Sequence, residues 1–116
     1  MVMGMQQRIV TEVELEKALD FLRDNARDIG EAKANTVRCG HMLKVVKALK
    51  MKAFNELSAA KAEVEAYCSE EYKAALYEDA VAAGEYEKLR ALREAAALKI
   101  EAWRTESSNY RAMKIG

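Results

Sequence analysis

The segment from Glu31 to Ala83 contains no proline and repeats its apolar residues every three or four positions. That spacing places them along one face of an α-helix. Val46, Leu57 and Cys68 are eleven residues apart, and an eleven-residue repeat has about 3.67 residues per turn, so the apolar seam would run almost straight along the helix. We therefore expect one long central helix. Its expected seam positions are Met42, Val46, Leu49, Ala53, Leu57, Ala60, Val64 and Cys68.

Two glycines bound this segment. Gly30 follows the apolar stripe of an expected helix, Thr11–Ile29, which opens with a capping-box pattern. Gly84 precedes a second expected helix, Glu85–Asn109. Because glycine is common just past the C-terminus of a helix, we expect the chain to reverse at both positions. The predicted fold is all-α, with a long central helix and an antiparallel helix folded back at each end as helical hairpins.

Two alternatives remain open within this fold class. A compact four-helix bundle would use the same helices. The central segment itself is either one helix, which we favour, or two helices divided near Ser69. The second arrangement is suggested by Ser69 followed by Glu70 and Glu71, a pattern typical of a new helix start.

Charge alternates in blocks along the chain. Residues 1–30 carry 4 basic and 6 acidic residues, and residues 31–52 carry 6 and 1. Residues 53–87 carry 2 basic and 9 acidic residues, and residues 88–116 carry 7 and 3. Reversal at the two glycines would lay the acidic first helix on the basic part of the central helix, and the basic last helix on its acidic part. Exposed ion pairs contribute only about 0–1 kcal/mol each, so we expect charge to select which helices pair and apolar burial to stabilise them.

Size and composition limit the class of protein. A chain of 116 residues without proline, a third of them charged, is typical of a single helical domain spanning 1–116. We expect frayed ends at 1–10 and 111–116. A single extended layer buries little apolar surface, so we expect a homo-oligomer.

No apolar run approaches the roughly 20 residues that span a bilayer, and the start lacks the pattern of a signal peptide. We therefore expect a cytoplasmic protein that does not bind membranes.

The sequence offers no convergent catalytic or metal-binding pattern. Cys39 and His41 are close together, but zinc needs three or four ligands and His41 is the only histidine. Cys39 and Cys68 are expected to be small buried thiols on the apolar seam, with a symmetric disulfide between subunits as the less favoured interpretation. We expect no enzymatic activity, no metal and no cofactor.

An acidic group and three aromatic residues are candidate partner surfaces. The acidic group only loosely matches the magnesium-binding glutamates of helical nucleotide pyrophosphatases, so we expect it to be solvated or to face a partner. Phe21 lies off the apolar stripe of its helix, and Tyr77 and Tyr110 are expected to be exposed, where aromatic residues often anchor protein partners. The acidic residues are Glu70, Glu71, Glu78 and Asp79.

The densest basic group is a candidate contact for nucleic acid. Lysine and arginine that neutralise phosphates account for most non-specific binding to nucleic acids. However, no glycine-rich phosphate loop and no aromatic residues for base stacking accompany this group. We expect charge pairing and solvation to account for it first, and nucleic-acid contact second. The group comprises Arg38, Lys44, Lys47, Lys50 and Lys52.

The C-terminal run IEAWRTESSNYRA, residues 100–112, resembles the ends of small helical proteins encoded in the early regions of tailed phages and prophages. The resemblance implies a phage origin, and a role around DNA metabolism or host takeover. It identifies no functional residue.

These patterns together favour a non-enzymatic helical interaction protein, phage-encoded, that forms a homo-oligomer and presents helix faces to an unidentified protein partner. The alternative is an accessory protein of phage DNA recombination or replication that binds single-stranded DNA or a DNA-metabolism protein through the basic group. A nucleotide hydrolase built on the acidic group is the third hypothesis.

Overall fold

A computed structural model describes residues 8–115, the side chain of the last of these excepted, and these residues form three helices. Helix α1 spans Glu12–Ala53, α2 spans Ala59–Tyr67, and α3 spans Glu70–Ile115. The described residues contain no strand. The prediction of an all-α protein is therefore confirmed.

The line of least exposed residues along α1 follows alternating steps of three and four. This is a seven-residue repeat, with about 3.5 residues per turn, the spacing of helices that pack along their length in coiled coils. It begins at Leu15 and ends at Lys50, and it includes polar residues as well as apolar ones. The complete line is Leu15, Ala18, Leu22, Asn25, Ile29, Ala32, Thr36, Cys39, Leu43, Val46 and Lys50.

Helix α3 carries a matching line with the same spacing. One position of its seven-residue repeat, Arg93, is exposed. The others are buried or half-buried, and they include both small and large side chains, which can interdigitate with those of a facing helix. They are Tyr72, Ala75, Asp79, Ala82, Tyr86, Leu89, Ala96, Ile100, Trp103 and Ser107.

The chain divides into two compact units. The central unit consists of Asp28–Lys88. Within it, Lys33 lies over the ring of Tyr86, 5.1 Å from its centroid, and Lys50 pairs with Glu71. The two helices therefore run antiparallel in this unit. Helix α2 contacts both of them, because its Tyr67 lies beside Lys47 of α1 and packs edge-on against Tyr72 of α3 at 5.1 Å.

The terminal unit consists of the described residues of Met1–Arg27 together with Leu89–Gly116. Helix α1 begins here with the predicted capping box. The backbone N–H of Glu14 donates to the Thr11 hydroxyl at 3.1 Å, and the N–H of Thr11 donates to the Glu14 carboxylate at 3.3 Å. Just before this cap, the backbone N–H groups of Ile9 and Val10 donate to the Glu106 carboxylate of α3.

The predicted reversals at Gly30 and Gly84 are wrong. Helix α1 continues through Gly30 and α3 continues through Gly84, and no glycine among the described residues has a positive φ. A glycine in a helix interior costs only about 1 kcal/mol relative to alanine. The buried lines on both sides of each glycine stay in phase, and their packing outweighs that cost. The single central helix from Glu31 to Ala83 is consequently replaced by parts of three helices.

The predicted apolar seam is also wrong. Most of its members, including Leu49 at 61% exposure and Val64 at 60%, lie on outward faces. Cys68 is exposed at the end of α2 rather than buried, whereas Cys39 is buried as predicted. The eleven-residue repeat was read across a break at residues 54–58, where the chain leaves the helical phase. Each helix has its own phase, and the true period is seven.

Serines mark the two helix starts on either side of α2: Ser58 caps the start of α2, and Ser69, which follows the C-cap residue Cys68, caps the start of α3. The Ser58 hydroxyl accepts from the backbone N–H of Lys61 at 3.3 Å. After α2, the Ser69 hydroxyl donates to the carbonyl of Ala66 at 2.7 Å and accepts from the backbone N–H of Tyr72 at 3.2 Å. The break near Ser69, which the sequence left open, is therefore present, and a second break precedes Ser58.

Helix α3 also extends beyond its predicted end at Asn109 and includes residues 111–115 of the expected frayed C-terminus. Of the expected frayed N-terminus, residues 8–10 contact α3, and residues 1–7 lie outside the described part of the chain.

The two helical glycines give a direct stability test. A Cβ atom added at Gly30 or Gly84 would meet nothing within 4 Å. Replacing either by alanine removes the backbone-entropy cost of glycine without a clash, so each of Gly30→Ala and Gly84→Ala should stabilise the fold by about 0.5–1 kcal/mol in urea unfolding followed by circular dichroism. The matched variant Gly84→Pro should destabilise it by about 3 kcal/mol. Destabilisation by alanine would mean that the chain turns at these positions.

Candidate interaction surface

The five residues of the predicted basic group do not form one surface. Lys47 forms an ion pair with Glu63 of α2 at 3.3 Å, and Lys50 pairs with Glu71 of α3. Arg38 donates to the side-chain oxygen of Asn35 at 2.7 and 3.1 Å. Lys44 and Lys52 are exposed.

The ion pairs made by Lys47 and Lys50 show which charged segments of the chain lie against each other. The basic stretch of α1 lies against the acidic residues of α2 and of the start of α3, within the central unit. Opposite charges do meet between these segments, but they are not the pairs that the sequence predicts. The expected partners of that basic stretch, the first helix before Gly30, were wrong because α1 does not reverse there.

These contacts shift two pKa values. The contact with Tyr67, opposed by desolvation and supported by the Glu63 carboxylate, raises the pKa of Lys47 above its ordinary value of 10.5. The Lys50 ammonium, and then the backbone N–H of the residue itself, lower the pKa of Glu71 below its ordinary value of 4.5. Both shifts favour the charged forms, so the pairs hold α1 against α2 and α3 across the neutral pH range.

The acidic group does not converge on a point. Glu71 faces Lys50, Glu70 pairs with Lys73 of its own helix at 3.5 Å, and Glu78 lines a groove with α1. No group of three or more potential metal ligands occurs among residues 8–115. His41 is exposed and lies apart from this group in sequence.

The three aromatic candidates differ in exposure. Tyr77 is 72% exposed and is the most accessible of the tyrosines. Tyr110 is 43% exposed, and Lys114 lies 5.5 Å from its ring centroid. Phe21 is half-buried. Tyr77 is therefore the candidate with most surface available to a partner.

Tyr77 lines an open groove of about 280 Å³ between α1 and α3 in the central unit. The α1 wall supplies an arginine, an amide and the buried Cys39, and the α3 wall supplies a tyrosine, a glutamate and two small aliphatic residues. The lining residues are Asn35, Arg38, Cys39, Tyr77, Glu78, Val81 and Ala82.

This groove lies on the flank of the central unit that α2 leaves uncovered. At 3.6 residues per turn, Lys47 lies about 80° from the buried Cys39 in one direction, and Arg38 lies about 100° from it in the other. On α3, Tyr72 and Val81 lie on opposite sides of the buried Ala82 by about the same angles. Since α2 contacts Lys47 and Tyr72, the flank bearing Arg38 and Val81 faces away from it. We call this surface the open flank.

Five exposed large apolar side chains lie on the open flank. Two come from α3, and three come from α1 at positions that follow Arg38 on the same side of the helix. Val81 is 52% exposed and the others are at least 40% exposed. The five are Met42, Val45, Leu49, Tyr77 and Val81.

Helix α2 has a smaller outward face of its own. Its alanines Ala62 and Ala66 are buried, while Leu57, Ala60 and Val64 line a shallow apolar depression on the other side. Lys61 and Glu65 flank that depression. The expected seam of the sequence thus contributes to two outward surfaces rather than to the core.

The contacts made by residues 8–10 were missed at the sequence level. The Arg8 guanidinium lies 3.9 Å from the Trp103 ring centroid and donates to the Ser107 hydroxyl at 2.9 Å. Val10 is buried. The available signal was Val10 immediately before the Thr11 cap, an arrangement in which the apolar residue typically packs near the first turn. This signal indicates that the residues just before α1 are ordered, but it does not identify α3 as the helix they contact.

No protein-family model, curated protein or solved structure matches this chain. Among residues 8–115, no helix combines the length and the apolarity needed to cross a bilayer.

The lowered pKa of Glu71 predicts how stability depends on acid. Below pH 4.5 the unfolded carboxyl takes up a proton more readily than the folded one, so the stabilisation by the Lys50 pair is present above that pH and is lost as pH falls through the lowered folded value. Glu71→Gln should therefore lose less stability than the parent protein between neutral pH and pH 3. Glu70→Gln, whose partner is on its own helix, is the control and should follow the parent. If stability fell with pH in the same way for the parent and both variants, the result would contradict the role of the Lys50–Glu71 pair.

The terminal unit depends on Glu106. Removing its carboxylate in Glu106→Ala leaves the backbone N–H groups of Ile9 and Val10 without their acceptor, and it should destabilise the fold by about 1–2 kcal/mol, since hydrogen bonds to charged groups are stronger than neutral ones. Glu101→Ala is the matched control, because among the described residues Glu101 pairs with Arg104 of its own helix, and it should change stability by less than about 0.5 kcal/mol. Urea unfolding measures both. Equal effects would show that the contact with residues 9 and 10 contributes nothing.

Proposed function

We propose that this chain is a non-enzymatic protein-interaction protein that works as a homo-oligomer built from helical hairpins. The observation that carries the proposal is the distribution of apolar side chains. Among the described residues, those with little exposure are mostly alanine, and no large side chain is fully buried. Large residues such as Leu49, Val64 and Leu98, which is 70% exposed, point outward instead.

The energetics of burial support association. Burying a leucine or valine side chain fully contributes about 1.5–3 kcal/mol, and an alanine contributes far less because it has little area to remove from water. A core made mostly of alanines, with half-exposed leucines around it, therefore gains less free energy from apolar burial than the composition of the chain allows. Contact between outward faces of several chains would recover that stabilisation, and large apolar patches on a protein surface commonly mark such contacts.

The biological setting is part of the proposal. The resemblance of residues 100–112 to the ends of phage early-region proteins supports a phage-encoded protein acting in the host cytoplasm, where it would present its helix faces to a second, unidentified protein.

Binding of single-stranded DNA is less well supported. Lys47 and Lys50 are engaged by Glu63 and Glu71, which leaves fewer lysines for phosphates. The acidic partners also lie next to the same surface and would repel a phosphate backbone.

Light scattering coupled to gel filtration tests the proposal. At micromolar concentration the protein should elute as a dimer or larger species, because the exposed apolar faces should associate. A stable monomer over the whole concentration range would contradict the proposal. A parallel titration with single-stranded DNA at low salt should show no binding. Binding that weakens steeply with salt and is lost in Lys44→Glu would support the DNA hypothesis instead.

A further inference from the structure

We infer that the open flank of the central unit is the surface on which a second copy of this chain docks, with Arg38 of each copy facing Glu78 of the other. The inference rests on the proposed homo-oligomer and specifies where its interface lies. Its first support is the accessible apolar area on this flank, which combines Tyr77 and Val81 of α3 with the α1 residues Met42, Val45 and Leu49.

The second support is the charge on the groove walls. Arg38 and Glu78 line the same groove, but within residues 8–115 neither forms an ion pair. The side-chain partners of Arg38 are the amide of Asn35 and the sulfur of Cys39, both uncharged. The groove thus carries a positive group on its α1 wall and a negative group on its α3 wall, and neither is paired with an opposite charge among the described residues.

Such a surface is self-complementary. A two-fold interface brings the same patch of both copies together, so each contact occurs twice. A two-fold axis running along the groove would stack α1 of one copy on α3 of the other, in antiparallel orientation. Arg38 would then meet Glu78 of the second copy, and Glu78 would meet its Arg38. The assembly of the two central units would have the packing of a four-helix bundle at this flank.

The aromatic residue supplies the apolar centre. Tyr77 lines the groove. The antiparallel contacts of Lys33 with Tyr86 and of Lys50 with Glu71 place Tyr77 at about the same height along the helix pair as Met42 of α1. In the stacked arrangement Tyr77 would cover Met42 of the second copy. Buried tyrosines are among the residues that contribute most to interfaces.

A charge-swap experiment tests the pairing. Arg38→Glu would place two acidic groups opposite each other twice in the dimer, and Glu78→Arg would do the same with two basic groups. Each single variant should raise the dimer dissociation constant roughly tenfold or more, measured by analytical ultracentrifugation, because like charges at an interface are strongly unfavourable. An equimolar mixture of the two single variants should restore dimerisation near the parent value, since both contacts are then attractive. The double variant Arg38→Glu with Glu78→Arg should also dimerise.

Lys61→Glu is the matched control. It makes the same kind of charge reversal on the exposed surface of α2, which contacts the opposite side of the α1–α3 pair, and it should leave the dissociation constant unchanged. Tyr77→Ala should weaken dimerisation roughly tenfold. Circular dichroism of every variant should match the parent protein, because all four positions have exposed side chains.

The outcomes separate this inference from the proposed function. A parent protein that oligomerises, with variants that oligomerise equally well, would overturn the open flank as the interface and leave the homo-oligomer in place. A parent protein that stays monomeric would overturn both. Loss of dimerisation in the single variants with recovery in their mixture supports the inference, because a folding defect would not be repaired by mixing.

Discussion

The structure depends on a line of buried and half-buried side chains repeated every three or four residues along α1 and α3, in which alanines lie among larger residues. Ala18, Ala82 and Ala96 are among its most buried members. Alanine at these positions allows two helices to approach closely, and the seven-residue repeat keeps the same face of each helix turned toward its partner. Large residues such as Ile29 and Trp103 share this line, whereas Leu49 and Leu98 lie outside it and are exposed.

The polar residues on this line are accommodated without a loss of hydrogen bonds. Asn25 donates to the carbonyl of Phe21 one turn earlier, and Thr36 donates to the carbonyl of Lys33. Lys50 lies where the line ends and meets Glu71. Among the described residues, no buried side-chain nitrogen or oxygen lacks a partner. The bonds of Asn25 and Thr36 lie within α1, but a shift of one helix along the other would separate Lys50 from Glu71, so this pair helps to fix the register.

The sequence predicted the helical class and several local signals correctly, because those depend on neighbouring residues. The Thr11 capping box and the helix start after Ser69 are both present. The break before Ser58 carried the same kind of signal, a serine that can cap a helix, but an apolar pattern that continued across it concealed the change of phase. Gly30 and Gly84 failed as helix ends because propensity is weak compared with packing along a long helix.

The candidate surface was only partly accessible to sequence reasoning. Tyr77 was correctly expected to be exposed, since it departs from the apolar spacing of its helix. The groove beside it could not be predicted, because its two walls come from segments about forty residues apart, and their alignment follows from where α2 begins and ends. Likewise, the basic group was visible as a cluster, but the assignment of Lys47 and Lys50 to Glu63 and Glu71 required the turn at residues 54–58.

The exposure of many large apolar side chains links the stability of this chain to its concentration. A chain whose apolar side chains are half-exposed gains free energy whenever a second surface covers them, and that gain scales with the logarithm of the concentration of the covering chain. Exposed salt bridges such as Lys50 with Glu71 cannot substitute for this gain, because each contributes at most about 1 kcal/mol in water. The folded form should accordingly be most populated where copies of the chain, or a partner offering a similar apolar face, are abundant.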